Sequence, residues 1–371
     1  MKITSVDTIP VSVPLVRTFK GSYYSMSHRA TLITRVHTDE GVVGESYNGD
    51  EDTAQATIQR IIADQLAPRL IGKDPREVEA RYEDMVPATF DILSYRRLPI
   101  MAVAAIDSAL WDIVGKVAGL PLATVWGGYR KSVPIIAIGG YYGQSLADLG
   151  AEIEHYRELG FAGCKVKVGG ASPVEDAERF ATARKAGGAD FVLMADANQG
   201  YTVQEALTFC RLVAEHDLRW FEEPVRWYND RLGMRDVRLK AGVAVCAGQS
   251  EIGRAGARDL IAEGAIDVCN YDASWSGGPS EWRRVAGLAA CYGVQMGHHE
   301  ESQVAVHLIA STPDGTYVEA FHPDRDPVFW HIDAGRAPLR DGHLAVPDRP
   351  GLGIEFDWDW VNRYRLDREK G

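Results

Sequence analysis

From residue 133 onward the chain alternates between short apolar runs and longer stretches of helical spacing. The runs are Val133–Ile138, Gly163–Val168, Phe191–Asp196, Leu218–Glu222, Ala244–Gly248, Ile266–Asn270, Gly293–Met296 and Tyr317–Ala320. Seven stretches with apolar residues at helical intervals separate them, among them Ser145–Leu159 and Val203–His216. Eight strands alternating with helices predict an α/β fold, a parallel β/α barrel. A doubly wound open sheet is the runner-up; even spacing without a Gly-rich phosphate turn favours closure.

The first 130 residues have a different texture. Ile3, Val6, Ile9, Val11 and Val13 roughly alternate with polar neighbours, and Thr31–Val36 and Gly41–Glu45 predict a hairpin around Asp39-Glu40-Gly41. Between these segments, Thr18–Arg29 carries Gly, Ser, Tyr and His and reads as a mobile loop. Helical spacing follows over Ala54–Leu66, Pro75–Met85 and Ile100–Val117, the last stopped by Gly119-Leu120-Pro121. The expected organisation is an α+β domain over 1–130, the barrel over 131–321, and a segment rich in Pro, Asp, Gly and Trp over 322–371 that returns to the first domain.

Hydrophobic residues make up 46% of the 371 positions, enough for a sizeable core. The formal net charge of −12 disfavours nucleic acid and anionic membranes as partners. It leaves a small anionic substrate open, because a bound cation reverses the local field. Five cysteines without a CxxC pair read as reduced, buried thiols and make a structural zinc site improbable. With no signal-peptide pattern and no apolar run of about 18 residues, the expectation is a soluble, cytoplasmic protein.

The chemistry lies at the ends of the apolar runs, which in a parallel barrel converge on one mouth. Lys165 and Lys167 close the second run and share a face. Adjacent cations depress each other's pKa, which leaves one lysine able to take a proton. Asp196, Glu222 and Glu251 end the next three runs at intervals of 26 and 29 residues, and three oxygen ligands suit Mg²⁺. Asp272 and His299 end runs six and seven, where a carboxylate that orients an imidazole makes it a general base. His298 is the rival, and strand alternation lets only one of the two point inward. His307 falls within the next helical stretch and reads as structural. Glu319 ends the eighth run, as a hydrogen-bonding acid or an edge charge.

Taken together, Lys165-Val166-Lys167, Asp196-Ala197-Asn198, Glu222-Glu223-Pro224, the Asp272/His299 pair, Glu319, and the stretch from Ala109 to Pro121 that precedes Trp126-Gly127-Gly128 resemble the enolase superfamily and, within it, the mandelate racemase subgroup. The resemblance spans nearly the whole chain. It implies a capping domain over a modified barrel, and abstraction of the proton α to a carboxylate with Mg²⁺ stabilising the enediolate. By position, Lys167 is then one base, Lys165 assists the substrate carboxylate, and His299, oriented by Asp272, works on the opposite face. Asp196, Glu222 and a fifth-strand residue hold the metal, and Glu319 hydrogen-bonds the enediolate. The family's third ligand follows the glycine of the fifth strand, where this chain has Gln249; Glu251, two residues on, has the same parity and is the expected ligand, with the amide oxygen of Gln249 the alternative. Asn198, Tyr23, Arg29 and His298 are candidate substrate contacts, Arg29 as a carboxylate clamp.

The expected activity is dehydration of an acid sugar to a 2-keto-3-deoxy acid. Racemisation or epimerisation of a 2-hydroxy acid shares the enediolate, and a non-catalytic metabolite-binding member is a third reading. The expected partner is a small carboxylate, and the expected assembly a homo-oligomer.

Overall fold

The computed structural model describes residues 1–49 and 53–366, so the last five residues of the expected C-terminal segment lie outside the described residues. Three antiparallel strands open the chain: β1 (Ile3–Lys20), β2 (Ser25–Thr38) and β3 (Val43–Tyr47), in the order β1-β2-β3. The segment expected as a loop is therefore mostly hairpin. Phe19 pairs with Met26 and Lys20 with Ser25, past an irregularity after Pro14. Gly21 N–H donates to the Tyr24 carbonyl at 3.0 Å and closes the tip. Ser, Thr and Tyr are compatible with an extended ladder, so polar composition did not disclose the strand.

Helices follow over Gln55–Ile61, Val78–Met85 and Arg97–Ala118. The last ends at Gly119, whose left-handed φ of 67° lets its N–H reach back to the Gly115 and Lys116 carbonyls. With 22 residues and a mean hydropathy of 1.5 it is long and apolar enough to cross a membrane, although Asp107, Ser108, Asp112 and Lys116 interrupt the apolar run. In this fold 83% of its apolar window is buried, packed on β2 and β3. Gly44 permits that packing: a Cβ there would sit 2.1 Å from the Ala109 carbonyl oxygen.

The eight parallel strands are β4 (Ser132–Gly139), β5 (Gly163–Lys167), β6 (Val192–Asp196), β7 (Leu218–Glu222), β8 (Val245–Ala247), β9 (Val268–Cys269), β10 (Gln295–Met296) and β11 (Val318–Phe321). Each pairs with its neighbour in chain order through β10, and β11 pairs with β4. The ring closes through a parallel bridge from Met296 to Gly315. A twelfth strand, β12 (His343–Ala345), lies antiparallel to the start of β4. Helices occupy all seven intervals, and three of them begin with capping boxes, Ser145/Asp148, Ser172/Glu175 and Thr202/Glu205.

Strand alternation sorts the side chains. Cys164, Val166 and Val168 pack outward under the helices in the main core, while Lys165 and Lys167 point to the barrel axis. Beneath the mouth, Ile136, Met194, Trp220, Cys246 and Val268 fill the interior. At the other end of the chain, Val328, Ile332, Phe356, Trp360 and Val361 join Val11, Val13, Ile33 and Tyr47 in one cluster, which packs the C-terminal segment on the first sheet.

Candidate active site

Strand ends β5, β6, β7, β9, β10 and β11 bring Lys165, Lys167, Asp196, Glu222, Asp272, His299 and Glu319 into one buried group. Lys165 Nζ lies 2.6 Å from both Glu222 Oε1 and Glu319 Oε1, and Lys167 Nζ lies 2.7 Å from Asp196 Oδ2. The expected lysine with a lowered pKa is not found. Burial works against both ammoniums, but Glu222, Glu319 and Asp196 outweigh it at Lys165, and chiefly Asp196 does so at Lys167, so both are held above their ordinary range.

His299 Nδ1 is 2.9 Å from Asp272 Oδ2, and Asp272 Oδ1 accepts the Ser274 and Trp275 N–H groups at 2.7 and 3.1 Å. That anchoring leaves Nε2 as the reactive nitrogen. Burial, then Lys165 and Lys167, push the imidazole well below its usual pKa, while burial, then Glu300 and Glu301, push the Asp272 carboxyl well above its own. The Trp275 ring packs at 5.0 Å from the imidazole. Lys167 ends β5 and His299 follows β10, which lies three places from β5 around the ring.

Asp196 Oδ1 accepts Asn198 N–H at 2.8 Å, and Asn198 Nδ2 donates to Oδ2 at 3.1 Å. Asn270 Nδ2 donates to Glu222 Oε1 and Glu319 Oε1 at 3.1 and 3.3 Å, and Glu300 N–H donates to Glu319 Oε2 at 3.0 Å. Asn270 is a site residue the sequence reading missed, although it stands two places before Asp272 at the end of the same run. Trp275 carried no signal, since it lies in a loop. Non-glycine residues with left-handed φ gather at the strand ends: Asn198, Gln199, Glu223, Glu300 and Glu301. Such conformations cost energy and collect where side chains must be aimed.

Four expected contacts are placed elsewhere. Glu251 turns outward: its Oε2 lies where a Cβ on Gly256 would stand 1.5 Å away, against the helix Arg254–Ala262. Burial, then Asp230, raises its pKa to about 7. The parity argument fails because β8 ends at Ala247 and Gly248, with φ of 132°, breaks the alternation. His298 is buried with both ring nitrogens on the backbone, Nε2 receiving Ala273 N–H at 3.1 Å and Nδ1 lying 2.8 Å from the His299 carbonyl. Arg29 is 2% exposed inside β2 and paired with Glu301 and Asp326 at 2.8 and 2.9 Å, so its charge is committed to the fold. Tyr23, 71% exposed, receives a hydrogen bond from Arg226 Nη2 at 3.1 Å, while its neighbour Tyr24 brings its ring centroid within 5.7 Å of Lys167 Nζ.

Gln249 is 6% exposed and its Oε1 has no hydrogen-bond partner. Among the described residues no three His, Cys, Asp or Glu side chains group closely enough to hold a metal ion. Asp196 and Glu222 carry carboxylate oxygens and Gln249 a buried, unpartnered amide oxygen, and all are donors of the hard type that Mg²⁺ prefers.

An α+β domain over a barrel with a lysine pair, acidic strand ends and an Asp–His dyad defines a class, and comparison with known proteins shows it. Residues 3–127 match the mandelate racemase/muconate lactonizing enzyme N-terminal domain, and residues 148–360 the enolase C-terminal domain-like family. The chain belongs to the mandelate racemase/muconate lactonizing enzyme family of the enolase superfamily. It is 33% identical to D-galactarolactone cycloisomerase of Agrobacterium fabrum over 99% of each chain. It is 31% identical to arabinonate dehydratase of Saccharolobus solfataricus over 87% of each. A crystal structure of a mandelate racemase/muconate lactonizing enzyme from a marine actinobacterium, in complex with magnesium, superposes with a TM-score of 0.94 at 51% identity over 99% of both chains.

Proposed function

We propose that the protein is a Mg²⁺-dependent acid-sugar dehydratase, which removes the proton α to a carboxylate and expels the β-hydroxyl as water. The carrying observation is the His299–Asp272 pair, Nδ1 to Oδ2 2.9 Å, at the same mouth as the Lys165–Lys167 pair. Asp196, Glu222 and Gln249 would hold the cation, in keeping with the magnesium complex of the actinobacterial relative. When bound, Mg²⁺ supplies positive charge that lowers the energy of the enediolate.

The protein's own residues do the rest. Lys165 offers its ammonium to the substrate carboxylate, with Glu319 and Asn270 fixing its position. His299 Nε2 accepts the proton from C2. The C2–H electron pair then forms the C2–C3 double bond, the C3–O bond breaks, and the imidazolium returns that proton to the leaving hydroxyl as water. The enol tautomerises to a 2-keto-3-deoxy acid. Asp272 stabilises the imidazolium while it exists. Lys167 stands ready on another face, and becomes a base only when Asp196 turns to a different partner.

In the test, native protein with Mg²⁺ is offered a panel of aldonic and aldaric acids. The expected result is 2-keto-3-deoxy product from at least one acid and none from His299→Asn. Full turnover after chelation, or by His299→Asn, sinks the proposal. A second reading, proton transfer at C2 without loss of water, is favoured by bases on two strands and by the cycloisomerase relative. Its signature is C2 deuteration in D₂O with no keto product.

A further inference from the structure

Trp275 lies in the loop between β9 and the helix Gly278–Tyr292, three residues past Asp272. The loop is pinned on both sides of it. The Tyr271 hydroxyl donates to the Ser276 carbonyl at 2.6 Å, and Gly278 N–H donates to the Ala273 carbonyl at 2.7 Å. From there Trp275 engages both members of the dyad. Its backbone N–H donates to Asp272 Oδ1 at 3.1 Å, and its ring centroid lies 5.0 Å from that of His299 at an interplanar angle of 48°. With Asp272 Oδ2 at 2.9 Å from His299 Nδ1, the three residues form a closed circuit.

The indole is braced in turn by the first domain. The Arg97 guanidinium stands 5.5 Å from its centroid, and Arg97 Nη2 donates to the Ser250 carbonyl at 2.8 Å. A Cβ on Gly49 would stand 2.9 Å from Nε1, so the backbone there lies against the indole edge. Nε1 itself has no hydrogen-bond partner, so the indole contributes its ring and not a donor. His299 needs that ring. The χ2 torsion of a histidine is broad, and the bond at Nδ1 alone leaves the imidazole able to turn. Glu300 Oε1 lies 3.5 Å from Nε2, just beyond hydrogen-bonding length, and a closer approach would occupy the nitrogen that faces C2. A flat ring packed beside the imidazole resists that turn. Once the imidazole takes a proton, the same ring stands within the roughly 6 Å over which an aromatic face attracts a cation.

We infer that Trp275 is a positioning residue of the Asp272–His299 pair: its N–H orients the carboxylate, and its ring, braced by Arg97 and Gly49, keeps His299 Nε2 toward substrate and off Glu300. The inference rests on the proposed role of His299 as the base. It makes the aim of a barrel residue depend on the first domain, which reaches the dyad through this indole.

The test reads the pair with and without substrate. In protein carrying isotope-labelled histidine, the proton between Nδ1 and Oδ2 gives a downfield resonance, identified by its loss in His299→Asn. Native protein and Trp275→Phe, which keeps a flat ring, are expected to show it sharp, and Trp275→Leu broadened or lost. With Mg²⁺ and an acid that native protein turns over, Trp275→Leu should lower kcat by about 10²-fold at unchanged KM and Mg²⁺ affinity. Trp275→Phe should lower it by less than about tenfold. Arg97→Met keeps the indole but removes a brace, and should also broaden the resonance; it decides the matter if Trp275→Leu does not fold. A residue that merely plugs the domain junction would lower Tm in these variants and leave the resonance sharp. No resonance in native protein, a sharp one or a native kcat in Trp275→Leu, equal losses in Trp275→Leu and Trp275→Phe, or a sharp resonance in Arg97→Met overturns the inference. Failure of the dehydratase reading looks different: native protein turns over no acid, while the resonance still separates Trp275→Leu from Trp275→Phe.

Discussion

The fifth strand shows how one residue can reset a site. Glu251 has the charge expected of a third ligand but turns toward a helix start, while Gln249 directly follows the fifth-strand glycine and has an unpartnered oxygen. A site of two carboxylates and an amide carries one negative charge fewer than a site of three carboxylates, and so attracts a divalent cation less strongly. Gln249→Glu is therefore expected to tighten Mg²⁺ binding by about tenfold or more, and Glu251→Ala to leave it unchanged, both read by calorimetry without substrate. Loss of binding in Glu251→Ala would restore that residue to the site. At the dyad, Asp272→Asn removes the anion that stabilises the imidazolium. Turnover should fall by roughly 10²–10⁴-fold with Mg²⁺ affinity preserved. A kcat equal to that of the native protein would show that His299 needs no such partner.

At the level of elements, the barrel was legible because period and length agree: short apolar runs, capped helices, and charged residues at or just past most of the strand ends. Asp196, Glu222, Asp272 and Glu319 were placed by that rule alone. The rule lost its hold where the chain leaves the strand. Gly248 breaks the parity that would have aimed Glu251, and the left-handed turns at Asn198, Glu223 and Glu300 occur at residues whose identity does not announce them. The hairpin tip was missed for the opposite reason, since its backbone ladder runs through polar side chains. Close approach is equally silent in a sequence. Gly44 looks like an ordinary turn residue, yet it lets β3 meet the helix Arg97–Ala118. Gly44→Ala forces the helix carbonyl at Ala109 away and is expected to destabilise the fold by about 1–3 kcal/mol in denaturant titrations. An unchanged midpoint would mean that the two elements separate at no cost.

Across the whole molecule, the helix Arg97–Ala118 is tied to the barrel by a buried acid. Asp107 accepts the N–H and the O–H of Ser280, each at 2.8 Å, and Trp111 Nε1 donates to the same hydroxyl at 2.9 Å. Burial outweighs those bonds and raises the Asp107 pKa from 3.8 to about 7. Between those two values the folded protein holds a proton that the unfolded chain has released. The contribution of this group to stability is therefore complete below about pH 4 and declines as pH rises toward 7, by an amount on the order of 4 kcal/mol. Asp107→Asn keeps an acceptor for the Ser280 N–H and cannot ionise. Its Tm relative to the native protein should be higher at pH 7.5 than at pH 4.5, whatever its offset at the lower pH. An equal difference at both pH values would show that the carboxyl ionises as readily in the folded chain as in the unfolded one, and that the contact between helix and barrel is indifferent to pH.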